Sequence, residues 1–218
     1  MSGFFVTGTD TEVGKTRISV ALIALLQQQG GIIAGMKPIA SGCERTAQGL
    51  RNDDALQLSQ QANIELPYDV INPYAFEPAI APHIAAQQAG IEIDLKKIEE
   101  NFTQIKQKCD AVVVEGAGGW LVPLNKTQTM ADLASAFDLP IILVVGIKLG
   151  CINHALLTVK AIESTGLKLH GWVANHIQSI SQSDEIIYTL QQHIKVPCLG
   201  SVPALKIKEC ATSYLKLN

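Results

Sequence analysis

The stretch that decides the fold is Phe4-Phe5-Val6-Thr7-Gly8-Thr9-Asp10-Thr11-Glu12-Val13-Gly14-Lys15-Thr16. A short apolar run passes into a polar loop, and Gly14-Lys15-Thr16 then opens a segment with apolar residues at Ile18, Leu22, Leu25 and Leu26. Strand, loop and amphipathic helix in that order form a setting in which successive backbone N–H groups can cradle an anion. Lys15 then supplies a cation for the β- and γ-phosphates of a nucleotide, and the Thr16 hydroxyl a ligand for Mg²⁺. The strict spacing G-x-x-x-x-G-K-[ST] is missed by one residue: Gly8 stands one position early and Thr9 takes the expected glycine position. The loop is therefore a variant.

Working outward, similar apolar runs recur at Ile32–Met36, Ala111–Val114, Ile141–Val145 and Gly171–Ala174, with a weaker one at Pro197–Val202. Their Val and Ile content predicts strands buried on both faces. Helices are expected over Lys15–Gln29, Asp53–Gln61, Asp94–Lys108, Met130–Phe137, Ile152–Ser164 and Ser183–His193. The alternation predicts an α/β fold: doubly wound, mostly parallel, helices on both faces, of the P-loop NTPase type. At 218 residues one domain is expected over 1–218, with an insertion or substrate loop at about 63–90. Within it, Leu66–Pro82 carries Pro67, Pro73, Pro78 and Pro82 and is expected to be irregular.

Further motifs fall at predicted strand ends, where ligands bind in such sheets. Val112-Val113-Val114-Glu115-Gly116-Ala117-Gly118-Gly119 ends a strand in a carboxylate fit to hold a metal, followed by glycines that let backbone approach a ligand. Lys37, in Met36-Lys37-Pro38-Ile39-Ala40-Ser41-Gly42, is set to meet a transferring phosphate or an anionic substrate, and Ser41 offers a positioning hydroxyl. In Arg51-Asn52-Asp53-Asp54 an aspartate is either the N-cap of the next helix or a second metal carboxylate. Lys148-Leu149-Gly150-Cys151-Ile152-Asn153-His154 opens another helix, and the Gly150–Asn153 N–H groups suit a carboxylate. Cys151 has no base beside it in the sequence and reads as a small turn residue, and His154 as a packed or capping one. Asn175-His176 closes a strand, with an amide able to read an adenine edge.

The loop from Phe5 to Thr16, together with Lys37–Gly42, Val114–Gly119, Lys148–His154 and Gly171–Asn175, resembles the ATP-dependent dethiobiotin synthetases of biotin biosynthesis, over roughly residues 3–205. That resemblance accounts for the variant spacing of the loop. It implies a Mg²⁺- and ATP-dependent cyclo-ligase. Its partners are 7,8-diaminopelargonic acid, CO₂ or bicarbonate, and ATP. It implies further that Glu12, Val13, Gly14, Lys15, Thr16 and Arg17 cradle ATP phosphate, with Thr16, Asp54 and Glu115 around Mg²⁺. Thr11, Lys15 and Lys37 would hold the carbamate and the transferred phosphoryl group. Ser41 would touch the diamine, and Glu115, Gly116, Ala117 and Gly118 would form the floor. Asn175, His176, Pro203, Ala204 and Leu205 would surround adenine. Gly150, Cys151, Ile152 and Asn153 would bind the substrate carboxylate from the second subunit of a homodimer. Partitioning ATPases share the fold class but typically carry an extra lysine early in the loop, where this chain has Asp10.

Composition agrees with these expectations. The chain is 47% hydrophobic and 17% charged with a net charge of -3, which argues against a polyanion or anionic-membrane binder. Aromatics at 5% are too few for a base-stacking platform. Five widely spaced cysteines with no C-x-x-C are expected to be free thiols, and the N-terminus lacks a basic n-region, so a cytoplasmic location is expected.

Overall fold

The computed structural model describes residues 3–206 and 209–217. In chain order the elements begin with β1 (Gly3–Gly8), α1 (Lys15–Gln28), β2 (Ile33–Met36), β3 (Ile39–Ala40), β4 (Glu44–Thr46), β5 (Gly49–Arg51) and α2 (Asp53–Gln61). Next come α3 (Tyr68–Ile71), β6 (Tyr74–Ala75), α4 (Pro82–Gln88), α5 (Leu95–Lys106), β7 (Ala111–Gly119) and α6 (Met130–Phe137). Then follow β8 (Ile141–Gly146), α7 (Cys151–Ser164), β9 (Leu169–Asn175), α8 (Ser183–His193), β10 (Cys198–Val202) and a 3₁₀ turn at Thr212–Tyr214. The central sheet has six strands in the order β10-β9-β8-β1-β7-β2, paired in parallel throughout. All six are the strands expected from the apolar runs.

Side-chain alternation explains why those runs are continuously apolar. Phe4 and Val6 of β1 point to one face with Val113, Ile142, Val144 and Val173, covered by Ile18, Leu22 and Leu26 of α1 and Leu58 of α2. Phe5 points to the other with Val112, Val114, Leu143 and Trp172, covered by Ile98 and Phe102 of α5, Leu133 and Phe137 of α6, and Val159 of α7. Both faces are thus removed from water, as parallel sheets require. Gly35 in β2 is the point of closest approach for α2, because a Cβ there would stand 2.8 Å from the Leu58 Cβ.

The Leu66–Pro82 stretch departs from the irregular loop expected. It holds α3 and β6, and β6 pairs in parallel with β3 right after Lys37-Pro38. The prolines fit this order: Pro67 precedes the first turn of α3, and Pro82 opens α4, where its missing N–H costs nothing. Two-residue strands carry too little periodicity to be read from sequence.

Candidate active site

The phosphate-type loop leaves the central strand β1 and enters α1 through Gly14, which is left-handed at φ 87. Lys15 is buried and folds back to donate from Nζ to the Asp10 carbonyl at 2.9 Å. Burial, aided by the charge of Lys37, lowers its ammonium from 10.5 to about 8. On the rim, Lys148 Nζ pairs with Asp10 Oδ2 at 3.0 Å, and that contact holds the Asp10 carboxyl below its usual range. A cation from the β8–α7 connection therefore reaches this loop through space.

Four side chains from four parts of the sequence meet beside the loop. The Thr16 hydroxyl lies 2.7 Å from Asp54 Oδ1 and 3.0 Å from Glu115 Oε1. Lys37 Nζ lies 2.6 Å from Glu115 Oε1 and 3.1 Å from Asp54 Oδ2, and donates to the Gly116 carbonyl at 3.2 Å. Burial opposes the Lys37 charge, but Glu115 and Asp54 outweigh it and raise its pKa. Burial also raises Glu115, with Lys37 opposing, whereas the less enclosed Asp54 is held low by Lys37 and Thr16. Glu115 Oε2 is buried without a partner among the described residues. An orphaned carboxylate oxygen, a second carboxylate and a hydroxyl are the hard oxygen donors that suit Mg²⁺, so the residues present fit that ion.

Two cavities flank the loop and share Glu12, Gly14 and Thr16. One, of about 620 Å³, is lined by Thr11, Lys15, Lys37, Ser41, Asp54, Glu115, Ala117 and Gly118. The other, of about 630 Å³, is lined by Arg17, Asn175, His176, Ala204 and Leu205. Asn175 Nδ2 donates to the Val13 carbonyl at 2.8 Å, and its buried Oδ1 has no partner among the described residues. His176 Nε2 sits 3.0 Å from Ser201 Oγ.

Most of the expected site residues come together in this way. Val13 is buried beneath the loop and Gly116 enters through its carbonyl alone. Pro203 borders the second cavity without lining it, and Gly150, Cys151, Ile152 and Asn153 lie outside both. The N-cap question at Arg51–Asp54 is resolved in favour of neither aspartate: Asn52 Oδ1 accepts from Ala55 N, which frees Asp54 to face the site.

From the stretch expected as an insertion or substrate loop at about 63–90, Ala79, Ile80, Ala81 and Pro82 wall the first cavity. Several contributors escaped sequence reading: Val122 in the first cavity, and Glu209, Cys210, Gln57 and Gln61 in the second. Asn72 is buried and donates to the Lys37 carbonyl at 2.6 Å, while accepting from the Tyr68 hydroxyl at 3.0 Å. The cluster of prolines around it was the available signal. Asn72→Ala would leave the Lys37 carbonyl unpaired inside the protein, at a cost of about 1–3 kcal/mol, while the Tyr68 hydroxyl keeps its bond from the Asn52 N–H. At about 2–4 °C per kcal/mol for a chain of this length, a melting curve should move down by several degrees. An unchanged midpoint would mean that the Lys37 segment is held some other way.

Comparison with known proteins bears on the same geometry. A model described as an AAA domain matches residues 2–209. The chain is 50% identical over 207 residues to the ATP-dependent dethiobiotin synthetase BioD of Pseudomonas paraeruginosa, covering 94% of this chain and 91% of that one. It is 48% identical over 218 residues to the protein of the same name from Cellvibrio japonicus, covering 99% and 96%.

The chain belongs to the ATP-dependent dethiobiotin synthetase family.

As a member it is an ATP-using ligase. Among solved structures the cell-division protein MinD of Aquifex aeolicus has the same fold, with a TM-score of 0.58 at 16% identity, covering 94% of this chain and 83% of that one. At that identity the likeness extends to the fold alone. In this dethiobiotin synthetase family member, no helix among the described residues is long and apolar enough to cross a membrane.

Proposed function

We propose that this chain closes the ureido ring of dethiobiotin from 7,8-diaminopelargonic acid, CO₂ and ATP. The observation that carries this reading is the pair of cavities sharing the Glu12–Thr16 loop, with Lys15 and Lys37 both lining the first. A triphosphate and a second anion brought together need cations already in place, and fixed charge of this kind is commonly the largest catalytic contribution.

One diamine nitrogen takes up CO₂ as a carbamate. A carbamate oxygen attacks the γ-phosphorus of ATP, and ADP leaves. The second nitrogen then attacks the carbamoyl carbon, the C–O bond to phosphate breaks, and phosphate departs as the ring closes. No covalent bond to the protein is required, which leaves the buried Cys151 without a chemical task.

In this reading Glu12 to Arg17 cradle the phosphates with their backbone N–H groups. Thr11, Lys15 and Lys37 orient the carbamate and neutralise charge as the phosphoryl group moves. Ser41 positions the diamine above the floor formed by Glu115 to Gly118. Thr16, Asp54 and Glu115 would hold Mg²⁺, which when bound neutralises the β- and γ-phosphate oxygens. Asn175 Oδ1, buried and free, suits the exocyclic amine of adenine, with His176, Pro203, Ala204 and Leu205 around it. The Gly150–Asn153 turn, which lies outside this chain's own cavities, would serve the substrate carboxylate of a second subunit in a homodimer. We place the enzyme in the cytoplasm, where its free thiols stay reduced.

The test is an assay with labelled bicarbonate, Mg²⁺, ATP and the diamine. Labelled dethiobiotin formed in equal amount to ADP is the expected product. ATP binding without a labelled ring would end the proposal.

A further inference from the structure

We propose that Arg17 is a latch that holds one wall of the base cavity in place, and so sets the affinity for the nucleoside part of ATP. This rests on the reading that the cavity beside Asn175 takes the base.

Arg17 lies in the first turn of α1, directly after the Lys15-Thr16 pair. Its side chain turns away from the loop. Nη1 donates to the Leu205 carbonyl at 3.0 Å and Nη2 to the Lys206 carbonyl at 3.3 Å. Two carbonyls consecutive in the chain suit a planar guanidinium, whose nitrogens diverge at a fixed angle; a lysine ammonium carries its donors on one atom. The backbone so gripped belongs to the segment after β10, whose Ala204, Leu205, Glu209, Cys210 and Ala211 line the cavity together with Arg17 itself.

The two ends of that segment are held differently. The far end is anchored by packing: Ala211 and Leu215 are buried among the residues under α1, and Lys216 N donates to the Leu199 carbonyl at 2.8 Å. At the near end the Lys206 carbonyl accepts from Arg17 and also from Glu209 N, and Lys206 N donates to Glu209 Oε2 at 2.9 Å. Leu205 packs only at the edge of that cluster, and Lys206 is exposed. Among the described residues Arg17 thus links the first turn of α1 to the Leu205–Lys206 backbone, three residues beyond the buried Val202 that ends β10. Without it the wall stays attached through β10 and at its far end, but the stretch between loses the bonds that set its distance from the loop.

Cys210 supplies a reporter. It lies on this wall and is exposed, whereas the other four cysteines are buried or half-buried. A base seated in the cavity would shield its thiol from a maleimide.

The experiment compares wild type, Arg17→Ala and Arg17→Lys in kcat, in KM for ATP, in inhibition by tripolyphosphate, and in Cys210 labelling with and without ATP. Arg17→Ala should raise KM for ATP about tenfold, the loss expected from two hydrogen bonds made by a charged group at a half-exposed site, with a smaller effect on kcat than on KM. Inhibition by tripolyphosphate, which has no base, should not change. Arg17→Lys should restore little. ATP should protect Cys210 in wild type and fail to do so in Arg17→Ala at the same concentration. Weakened tripolyphosphate inhibition in step with ATP would overturn the latch, because the side chain would then be meeting phosphate. Full rescue by lysine or an unchanged KM would overturn it too. If wild-type Cys210 is not protected by ATP, the base cavity has been misread and the latch falls with it. Protection in wild type that persists in Arg17→Ala would overturn the latch alone.

Discussion

Replacing Lys37 by methionine should lower kcat by about 10²–10³-fold or more, the range found when one preorganised charge-stabilising donor is removed. The same change should also destabilise the protein. The Lys37 ammonium lies between Glu115 and Asp54 at 2.6 and 3.1 Å, and the Glu115 side chain is only 1% exposed. Removing the cation leaves a buried carboxylate facing a second one, and breaking such a pair typically costs about 3–5 kcal/mol. Protonation of Glu115, already favoured by its burial, would recover part of that loss. Folding and turnover can be separated by the double variant Lys37→Met with Glu115→Gln, which removes the stranded charge along with the cation. Its melting midpoint should return towards wild type while kcat stays low. A single variant within tenfold of wild-type kcat would take Lys37 out of the chemistry.

Gly14→Ala should cost about a hundredfold or more in ATP affinity. Gly14 sits at φ 87 and ψ 29, a left-handed geometry that costs an ordinary L-residue about 1–2 kcal/mol. The strain is the smaller part. A Cβ at this position would run into the side-chain nitrogen of Asn175, which is held by its bond to the Val13 carbonyl. Asn175 must then move, and its unpaired Oδ1 moves with it, so the loop and the base cavity are disturbed together. Two such losses reach about 3 kcal/mol, or about a hundredfold. Titration calorimetry with ATP reads the effect directly, and an affinity within threefold of wild type would show that Asn175 yields freely. Gly14→Ala and Asn175→Ala should combine less than additively, because they act at one contact.

The sheet was legible because its signal is strong and local. Most of the six strands come from short apolar runs closed by Gly, Pro, Asn or a charge, with Val and Ile densest in β7 and β8, and burial on both faces makes such runs continuous. Lys15, Thr16, Lys37 and Glu115 were legible for a related reason: Glu115 lies in the C-terminal half of β7 and the others follow strands of that sheet, and parallel strands deliver those ends to one edge. What sequence hid is what depends on pairing across distance. The contact of Lys148 with Asp10 joins residues 138 apart, and that of Arg17 with Leu205 joins residues 188 apart. Asn72 had only the surrounding prolines to mark it, because its importance comes from partners the fold brings to it, the Lys37 carbonyl and the Tyr68 hydroxyl. At Asn52-Asp53-Asp54 three capping-competent residues stand in a row, and only the geometry selects Asn52.

The sheet order also has a consequence for how the chain is made. The first strand to leave the ribosome, β1, is the central one, yet its two neighbours are β7 and β8 at residues 111–119 and 141–146. At about 5–20 residues per second, β1 waits about 5–20 s for its first partner. In that interval Phe4 and Val6, fully buried in the finished protein, can pack against α1, whereas Phe5 faces the other way, toward α5 residues made only shortly before β7. One wall of the cavity beside Asn175 comes from Ala204, Leu205, Glu209, Cys210 and Ala211 and is completed last. Capture of ATP by the growing chain therefore cannot help it fold early; it can only hold together a chain whose assembly is all but finished.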